Sequence, residues 1–330
     1  MRLRTLDLFA GVGGSSDGAR KAGAKIVAAI DSWCLATSTY KENFPNARVV
    51  TKKLEKVAIR SLHDAIGNIE LLIASPECTN HTLAKGSAKR SEASRETALQ
   101  VTRFAREFKP RWIIIENVTR MRRWRKYKSF ISRLKKLNYN VREQTLNAKD
   151  FGVAQDRKRL FILCDRGGTP PKVRPAANRR GKSVKDVLDA DGKWRLTPLL
   201  TDSRATNTVA RYLTGLERMG VSKSFLLVYY GSDAGGGWQR LDRPLRTITT
   251  VDRFALVRPN GGLPRMRMLQ VPELKRAMGF KPSYKLNIGT RRDKIKLLGN
   301  AVCPAVMEAV VRTIVRRGKR NRVKAGRRRQ

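Results

Sequence analysis

Short apolar segments rich in β-branched residues recur along the first half of the chain, and helix-like stretches separate them. The apolar segments are LRTLDLFA, AKIVAAID, IELLIAS, RWIIIEN and RLFILCD. The helix-like stretches include residues 17–24, 97–108 and 128–137. Strands that alternate with helices form a mostly parallel sheet that helices cover on both faces. The pattern therefore predicts an α/β fold whose first part spans residues 1–165.

The rest of the chain has a different texture. Residues 166–242 are rich in Gly, Pro, Asn and Arg with weaker periodicity, which predicts a smaller, irregular second domain. Apolar residues return at helical spacing in Val306, Ala309, Val310 and Ile314, so residues 243–315 are expected to rejoin the first domain. Residues 316–330 hold nine basic residues in fifteen and no acid. This tail is expected to be disordered without a polyanion.

The charge balance restricts the partners of the protein. Lys and Arg total 71 against 27 Asp and Glu, a formal net charge of +44. This surplus repels itself in the compact state and is most simply explained by a nucleic-acid partner. An anionic membrane surface or a generally basic proteome would also account for it. No segment approaches the roughly 18 apolar residues of a membrane span, and the N-terminal segment lacks a signal-peptide core.

The cysteines favour a reduced, cytoplasmic protein. All four are scattered without a CxxC pair, and only two histidines accompany them. This is a poor supply of zinc ligands and offers no evident disulfide framework. We therefore expect no metal site. The lack of a long apolar segment likewise predicts no association with a membrane.

A glycine-rich turn follows the first apolar segment, in DLFAGVGGSSDGARKAG. Gly11, Gly13 and Gly14 lead into a helix, a geometry that lets a cofactor approach the backbone at a helix N-terminus. The spacing departs from the dinucleotide fingerprint because Ser16 stands where the third glycine would fall, and a plain tight turn would need glycines too. Asp31 ends the next apolar segment, where a carboxylate can accept the hydroxyls of a ribose. Together these residues predict a site for an adenosine-bearing cofactor.

Chemically active side chains follow two further apolar segments. Cys78 comes shortly after IELLIAS, and Glu116 lies at the end of RWIIIEN. Ligands of doubly wound sheets bind outside the carboxyl ends of the strands. The thiol and the carboxylate are therefore expected to face the same pocket as the glycine turn. In isolation, Cys78 would as readily be a buried structural residue, and Glu116 a cap or an ion-pair partner.

Basic residues lie close to these segments. Arg157 and Arg159 precede RLFILCD at alternate positions, where two guanidiniums can hold a phosphate or a base carbonyl. A solvated charge pair on an edge strand is the plainer interpretation. The segment TRMRRWRKYKSFISRLKK interleaves nine basic residues with Trp124, Tyr127 and Phe130. The aromatic rings would either stack on nucleic-acid bases or face the core of an amphipathic helix.

The order of these segments resembles the cytosine-C5 DNA methyltransferase family over nearly the whole chain outside residues 166–240. Six segments carry the resemblance: DLFAGVGG, SPECTNHT, ENV, QDRKR, RPLRTITT and GNAVCP. It implies a Rossmann-like catalytic domain, a target-recognition domain over residues 166–242, and S-adenosylmethionine as the cofactor. The implied partner is double-stranded DNA with a flipped-out cytosine, bound by a monomer. The chain does not reveal a cognate restriction enzyme or the recognition sequence.

The resemblance also implies residue roles. Cys78 is the nucleophile, Glu116 engages the target base, Arg159 contacts the flipped cytosine, and Arg157 supports the thiolate. The candidate cofactor-binding residues are Asp7, Phe9, Ala10, Gly11, Gly13, Gly14, Asp31, Ser32, Pro76, Asn300 and Ala301. The candidate nucleic-acid contacts are Thr82, Lys85, Lys89, Arg90, Gln155 and Arg243.

These roles fit the chemical requirement of the reaction. Cytosine C5 is a weak nucleophile, and thiolate attack at C6 would push electron density onto it. Glu116 at N3 and Arg159 at O2 would stabilise the negative charge that develops on the ring. A cytosine inside a duplex is out of reach, so it must leave the base stack.

Three residues depart from the pattern of the family. Glu77 precedes the nucleophile where a proline is usual, Lys53 stands near the position of an acid, and Ala154 replaces a proline. A carboxylate beside the thiol would raise its pKa if it pointed inward, so we expect Glu77 to point away. RNA cytosine methylation, a silent nucleic-acid-binding protein and transfer of another group to C5 remain alternative functions.

Overall fold

The computed structural model describes residues 3–76, 97–176, 181–230, 236–259 and 263–327, with side chains to residue 318. Its main feature is a seven-stranded sheet in the order β3-β2-β1-β4-β5-β7-β6. The strands are β1 (Arg4–Leu8), β2 (Lys25–Asp31), β3 (Arg48–Thr51), β4 (Leu71–Ala74), β5 (Trp112–Asn117), β6 (Asn140–Asn147) and β7 (Lys158–Asp165). All neighbours are parallel except β7, which runs antiparallel to β5 and β6. The predicted mostly parallel α/β sheet is confirmed.

Helices cover both faces of this sheet, and the helix Thr206–Met219 packs instead on a second sheet. They are α1 (Gly14–Lys21), α2 (Cys34–Asn43), α3 (Ile59–Ile66), α4 (Gln100–Phe108), α5 (Tyr127–Lys136), α6 (Thr206–Met219), α7 (Val271–Ala277), α8 (Arg291–Asn300) and α9 (Pro304–Arg327). Short 3-10 turns span Leu54–Lys56, Thr97–Leu99, Thr119–Arg123, Ala148–Phe151 and Lys185–Val187.

Side chains of the central strands alternate between the two faces of the sheet and contribute to a separate core on each face. In β4 and β5, Ile73 and Ile114 pack with α1 and α9 on one face, while Leu72 and Ile113 pack with α3 and α4 on the other. Successive side chains of a strand point to opposite faces, so an unbroken apolar run fills both layers. This explains why β4 (LLIA) and β5 (WIIIEN) are buried throughout.

A second sheet forms the smaller part of the molecule. Its order is β10-β9-β11-β12-β8, and every pair is antiparallel. The strands are β8 (Thr197–Pro198), β9 (Phe225–Val228), β10 (Trp238–Arg240), β11 (Phe254–Arg258) and β12 (Arg265–Met268). One face packs on α6, and the other contributes Leu226 and Leu256 to the core beneath α9.

The extent of this sheet differs from the expected boundary at residue 242. Two of its strands, β11 and β12, lie beyond that position, while the described part of residues 166–242 contributes only the short strands β8, β9 and β10 between long loops and the helix α6. Antiparallel pairing between distant segments has no local periodicity long enough to be seen in strands of two to five residues. The segment that returns to the main sheet is therefore shorter than residues 243–315.

The C-terminal helix also differs from expectation. Disorder was expected from residue 316, but the backbone of α9 stays helical through Arg327. Its first half packs on α1, so the helix is already nucleated when it leaves the core, and Arg and Lys are good helix formers.

Within Arg291–Gly318, a window of 18 residues is apolar enough for a membrane span, with a mean hydropathy of 1.4. Of that window, 61% is buried inside the fold. The full stretch comprises α8 and the start of α9, separated by residues 301–303. The core helices of a globular protein pass the same test, so the stretch is weak evidence for a span.

Candidate active site

The carboxyl ends of the parallel strands form one level edge. A row of paired residues crosses the sheet there: Ile30, Leu8, Ala74 and Ile115. The glycine turn follows Leu8, Asp31 follows Ile30, and Glu116 follows Ile115. The register therefore brings three predicted site segments together at the edge where a doubly wound sheet binds its ligands.

Asp31 joins the first two of these segments. Its two carboxylate oxygens accept the backbone N–H of Gly11 at 2.9 Å and that of Trp33 at 2.8 Å. Burial raises the pKa of Asp31, and these N–H donors oppose the rise. Gly11 has a φ of +53° and borders open space, because a Cβ built on it meets no atom within 4 Å. A ligand can approach the backbone at this point.

The other glycines have packing roles. A Cβ at Gly14 would lie 2.2 Å from the carbonyl oxygen of Val302, and one at Gly18 would lie 2.3 Å from that of Pro304. The side chain of Phe44 similarly excludes a Cβ at Gly13. These residues allow α1 and the start of α9 to pack closely, so the absence of a side chain at Gly14 does not require a cofactor.

Asp7 supports the glycine turn from behind and does not face the open edge. It is fully buried, and Ser16 Oγ donates to its Oδ2 at 2.6 Å. Tyr40 Oη donates in turn to Ser16 Oγ, also at 2.6 Å. Burial raises the pKa of Asp7 to about 7. The predicted direct contact of Asp7 with the cofactor is therefore wrong, because its carboxyl is enclosed by α1 and α2.

Ser16 also explains the departure from the dinucleotide fingerprint. Its hydroxyl uses both its donor and its acceptor capacity in the chain from Tyr40 to Asp7. A glycine at this position would leave two buried polar groups without these partners. Tyr284 braces the turn from the other side by donating to the carbonyl of Val12.

Asn117 links the ends of β4 and β5. Its side-chain nitrogen donates to the carbonyl of Pro76 at 3.1 Å, and its side-chain oxygen accepts the N–H of Val118 at 2.8 Å. Asn117 is buried, so both bonds lie in a nearly dry environment. They hold the chain at Pro76, two residues before Cys78 in the sequence.

Glu116 and Arg159 form an ion pair at this edge. Arg159 Nε lies 3.3 Å from Glu116 Oε1, and their side chains are only 15% and 8% exposed. Burial raises the pKa of Glu116, and the charges of Arg159 and Arg157 oppose the rise. A carboxyl in this position can keep its proton at a pH above that at which an exposed glutamate ionises, or it can share a proton with a ligand.

Arg157 is held differently. Its guanidinium donates to the carbonyls of Ile248 at 2.9 Å, Gly299 at 2.7 Å and Ala301 at 3.1 Å. It therefore connects β7 with the segments before β11 and α9. The predicted alternation of Arg157 and Arg159 does not place both guanidiniums in one open pocket, since Arg157 is buried among these carbonyls.

Gln155 is a correction to the predicted nucleic-acid contacts. It is fully buried, and its amide oxygen accepts the N–H of Ile248 at 3.0 Å. Its amide nitrogen lies 2.9 Å from Met278 Sδ. A side chain enclosed in this way cannot reach DNA, and it braces the two sheets against each other.

The remaining predicted residues fall into three groups. Ser32, Arg243 and Asn300 are exposed, Phe9 is half-buried, and Ala10, Pro76 and Ala301 are buried. Trp124, Tyr127 and Phe130 are buried in the core beneath α3 and α4, so the core interpretation of the aromatic residues is confirmed. Glu77, Cys78, Thr82, Lys85, Lys89 and Arg90 lie outside the described residues.

Two residues next to the site had not been singled out from the sequence. Trp33 follows Asp31 closely and is half-buried, and Lys296 Nζ lies 4.6 Å from the centre of its ring. Cys303 is buried beside the arginines, and burial raises the pKa of its thiol to about 11. The aromatic residue two positions after the strand-terminal Asp31 was a usable signal for Trp33, and the segment GNAVCP, which contains Cys303, was a usable signal for the thiol.

Comparison with known proteins places these features in context. The family model of the C-5 cytosine-specific DNA methylase matches residues 3–316. Type II methyltransferase M.HgiDI of Herpetosiphon aurantiacus is 30% identical over 313 residues, which cover 91% of this chain and 90% of that protein. Type II methyltransferase M.MthTI of Methanothermobacter thermautotrophicus is 26% identical over 331 residues, covering 95% of this chain and 97% of that protein.

Solved structures share the fold. A putative DNA modification methyltransferase from an E. coli prophage superposes with a TM-score of 0.70 at 18% identity, covering 95% of this chain and 99% of the other. A mutant of Spodoptera frugiperda DNMT2 gives a TM-score of 0.69 at 17% identity, with the same coverage.

Proposed function

The chain belongs to the C-5 cytosine-specific DNA methylase family, and from that membership we propose how its residues methylate DNA. It is a DNA cytosine-5 methyltransferase with relatives among Type II methyltransferases. The proposal assigns Cys78 as the nucleophile, Glu116 and Arg159 as the groups that act on the base, and the edge around Gly11 and Asp31 as the cofactor site. The ion pair of Glu116 and Arg159 at the carboxyl end of β5 is the observation that carries it.

The residues at the glycine turn fit S-adenosylmethionine, which the methyltransferases of this family use. Gly11 borders open space, and the Asp31 carboxylate lies beside it with lone pairs left for ribose hydroxyls. Ser32 is exposed, and the half-buried Trp33 ring offers an aromatic surface next to Asp31. When bound there, the cofactor supplies an electrophilic methyl group.

The protein groups carry out the remaining chemistry. The Cys78 thiolate attacks C6 of the cytosine, and the new S–C6 bond moves electron density toward C5, which takes the methyl group. Glu116 shares a proton with N3, and Arg159 places positive charge at O2. Transfer of the C5 proton to a water molecule and expulsion of the Cys78 thiolate then restore the aromatic ring, with the thioether left by the methyl transfer as the second product.

Arg157 acts as a positioning residue in this proposal. Its three carbonyl partners lie in the segment after β10 and at the end of α8, so it holds both parts of the molecule at the active edge. Exposed Arg243 lies near this connection and is suited to contact DNA phosphates. The protein is proposed to act as a monomer on a flipped-out cytosine, because one chain carries the catalytic edge and the second sheet.

The test begins with the methylated sequence. Cytosine methylation is mapped by bisulfite sequencing in DNA from a methylation-deficient host that expresses the protein. A duplex with 5-fluorocytosine at the mapped position is then incubated with protein and S-adenosylmethionine. The fluorine blocks the final elimination, so a denaturant-stable protein–DNA adduct is expected from wild type and none from Cys78→Ser.

The controls separate the alternatives. Cys164→Ser changes a buried thiol inside β7 and is expected to leave the adduct intact. An adduct that survives Cys78→Ser would refute the assignment of the nucleophile. An adduct on RNA with the same base but none on DNA would make RNA the substrate, and no adduct on either polymer would refute the proposed chemistry.

A further inference from the structure

Helix α9 runs from the active edge of the seven-stranded sheet toward its opposite edge. It starts beside the glycine turn, since the sites at Gly14 and Gly18 lie against Val302 and Pro304. Farther along, Arg312 donates to the carbonyl of Lys21 at the end of α1. The two helices therefore run in parallel, away from the carboxyl ends of the strands.

The helix leaves the core at the edge where the strands begin. Arg317 Nη2 lies 3.8 Å from the Cβ position of Gly168. Gly168 follows the end of β7, where Asp165 pairs with Trp112 at the first position of β5. Trp112 and Glu116 are four residues apart in β5, so this edge is about 13 Å from Glu116 along the strand. Helix α9 itself rises about 20 Å between Pro304 at the active edge and Arg317.

Exposed cations gather at this edge. We call Lys109, Arg166, Arg316 and Arg317 the rear basic cluster. The first three are exposed, and Arg166 donates to the carbonyl of Lys109 at 3.1 Å. The nearby Asp165 is fully buried and is hydrogen-bonded to Arg111 and to the N–H of Gly167, so its charge is balanced inside the fold.

Further basic residues follow this cluster in the sequence. From Arg316 to Gln330 the chain has nine basic residues in fifteen and no acid, and the backbone stays helical through Arg327. At 1.5 Å per residue, the twelve residues 316–327 extend about 18 Å. Lys109 caps α4 and Arg166 donates to the Lys109 carbonyl, so both cations also complement the dipole of that helix, whereas Arg316 and Arg317 lie on α9.

We propose that the rear basic cluster binds the backbone of a second duplex DNA segment, apart from the one that holds the target cytosine. The rear basic cluster and the active edge lie at opposite ends of the parallel strands, so one straight duplex does not contact both. Duplex DNA carries one negative charge per about 1.7 Å, which suits a surface with closely spaced cations. The proposal extends the proposed function, since one protein would hold two DNA segments at once.

The test measures bridging directly. Full-length protein is mixed with a bead-bound 40-bp duplex and a fluorescent 40-bp duplex, and the fluorescence captured on the beads is measured. The variant replaces the rear basic cluster: Lys109→Gln, Arg166→Gln, Arg316→Gln and Arg317→Gln. The control removes four exposed cations around the β3 end of the sheet: Lys41→Gln, Arg48→Gln, Lys56→Gln and Arg60→Gln.

Wild type and the control are expected to capture the second duplex. The fluorescence that the cluster variant captures on the beads is expected to be at least tenfold lower than that of wild type. The slope of the logarithm of the DNA-binding constant against the logarithm of the salt concentration should be about 3 to 4 units shallower for the cluster variant than for wild type, since four phosphate contacts are lost. Replacing the three arginines by lysine keeps the charge and should keep the bridging. Equal loss in variant and control, or capture that survives in the variant, would overturn the proposal.

Methylation of a short duplex separates this proposal from the proposed function. The cluster lies far from the active edge, so the cluster variant should methylate a 20-bp duplex carrying the mapped sequence within twofold of wild type. Wild-type protein that methylates this duplex but bridges no DNA would refute the second binding surface alone. Protein without methylation activity would refute the proposed function whatever the bridging result.

Discussion

Glu116 sits in an environment that controls its proton. Burial raises its pKa, while Arg159 at 3.3 Å and the more distant Arg157 lower it. The net rise means that the carboxyl stays protonated above the pH at which an exposed glutamate ionises. The proposed contact with N3 needs this proton, so the residue and its ion pair act together.

Replacing Glu116 by Gln should lower kcat by about 10²- to 10⁴-fold, because a positioned proton donor is lost. The advantage of wild type over Glu116→Gln should be largest at low pH and should shrink as pH rises through the pKa of Glu116. Single-turnover methylation across pH measures this ratio. Glu143→Gln, which changes a partly exposed partner of Arg122, is the matched control. A ratio that does not vary with pH would contradict the role of the proton.

Asp7 predicts a pH effect on stability. Its pKa is raised to about 7 by full burial, so the folded state holds the proton more tightly than the unfolded chain does. The contribution of this protonation to the free energy of unfolding is complete below the pKa of Asp7 in the unfolded chain, about 4. It is lost as the pH rises toward 7. Asp7→Asn removes this dependence while its side-chain oxygen can still accept from Ser16.

The free energy of unfolding of wild type should therefore fall between pH 4 and pH 7 relative to that of Asp7→Asn, by on the order of 4 kcal/mol. Urea unfolding of both proteins at several pH values measures the difference. Asp64→Asn on the exposed side of α3 provides a control that should follow wild type. Parallel curves for Asp7→Asn and wild type would mean that Asp7 is ionised in the fold.

At the scale of elements, the packing of α1 against α9 depends on missing side chains. A Cβ at Gly18 would lie 2.3 Å from the Pro304 carbonyl and 2.8 Å from Met307 Cβ, and neither neighbour is the end of a flexible side chain. The two helices would have to separate to admit a methyl group. This contact holds the last helix beside the glycine turn.

Gly18→Ala should lower the free energy of unfolding by about 1 to 3 kcal/mol, the usual cost of forcing extra volume into a packed contact. Gly318→Ala on the partner helix α9 is the control, because its Cβ would meet no atom within 4 Å. That change should raise stability slightly through helix propensity. Thermal melts of the two variants give the comparison, and equal melting temperatures would contradict the close packing of the helices.

At the scale of the whole molecule, the net charge of +44 acts on every element at once. Ion pairs such as Arg267 with Glu273, at 2.7 Å, neutralise only a small part of the 71 basic residues. The remaining cations repel one another in the compact state, and salt screens that repulsion.

The melting temperature of the DNA-free protein should therefore rise when the salt concentration is raised from about 50 to 300 mM, since the Debye length shortens. Adding a short duplex at low salt should raise it further, because DNA binds the folded state. Differential scanning fluorimetry measures both effects. A melting temperature that falls with added salt would show that attractive ion pairs outweigh the repulsion.

The two sheets are coupled through a few buried side chains. Gln155 and Arg157 contact backbone groups of Ile248, Gly299 and Ala301, which are 91 to 144 residues away along the chain. On the far side, Arg267 pairs with Glu273, which also accepts from the N–H of Asp189. These buried hydrogen bonds and this ion pair therefore hold the second sheet against the rest of the molecule.

Much of this arrangement could be read from the sequence. Apolar runs such as LLIA and WIIIEN have too few polar residues to face water, so they had to lie inside a sheet covered on both faces. Parallel strands end at one edge, which is why the glycine turn, Asp31 and Glu116 were expected to meet. Residue types and local spacing were enough for these conclusions.

Only the tertiary structure decided which way individual side chains point. Asp7 and Gln155 stand in segments that match binding motifs, yet both are enclosed, because packing with α1 in one case and with Met278 in the other turns them inward. The second sheet and the helical course of residues 316–327 were also invisible, since they depend on contacts between distant segments. Local patterns specify elements and chemistry, whereas burial and orientation follow from how those elements pack.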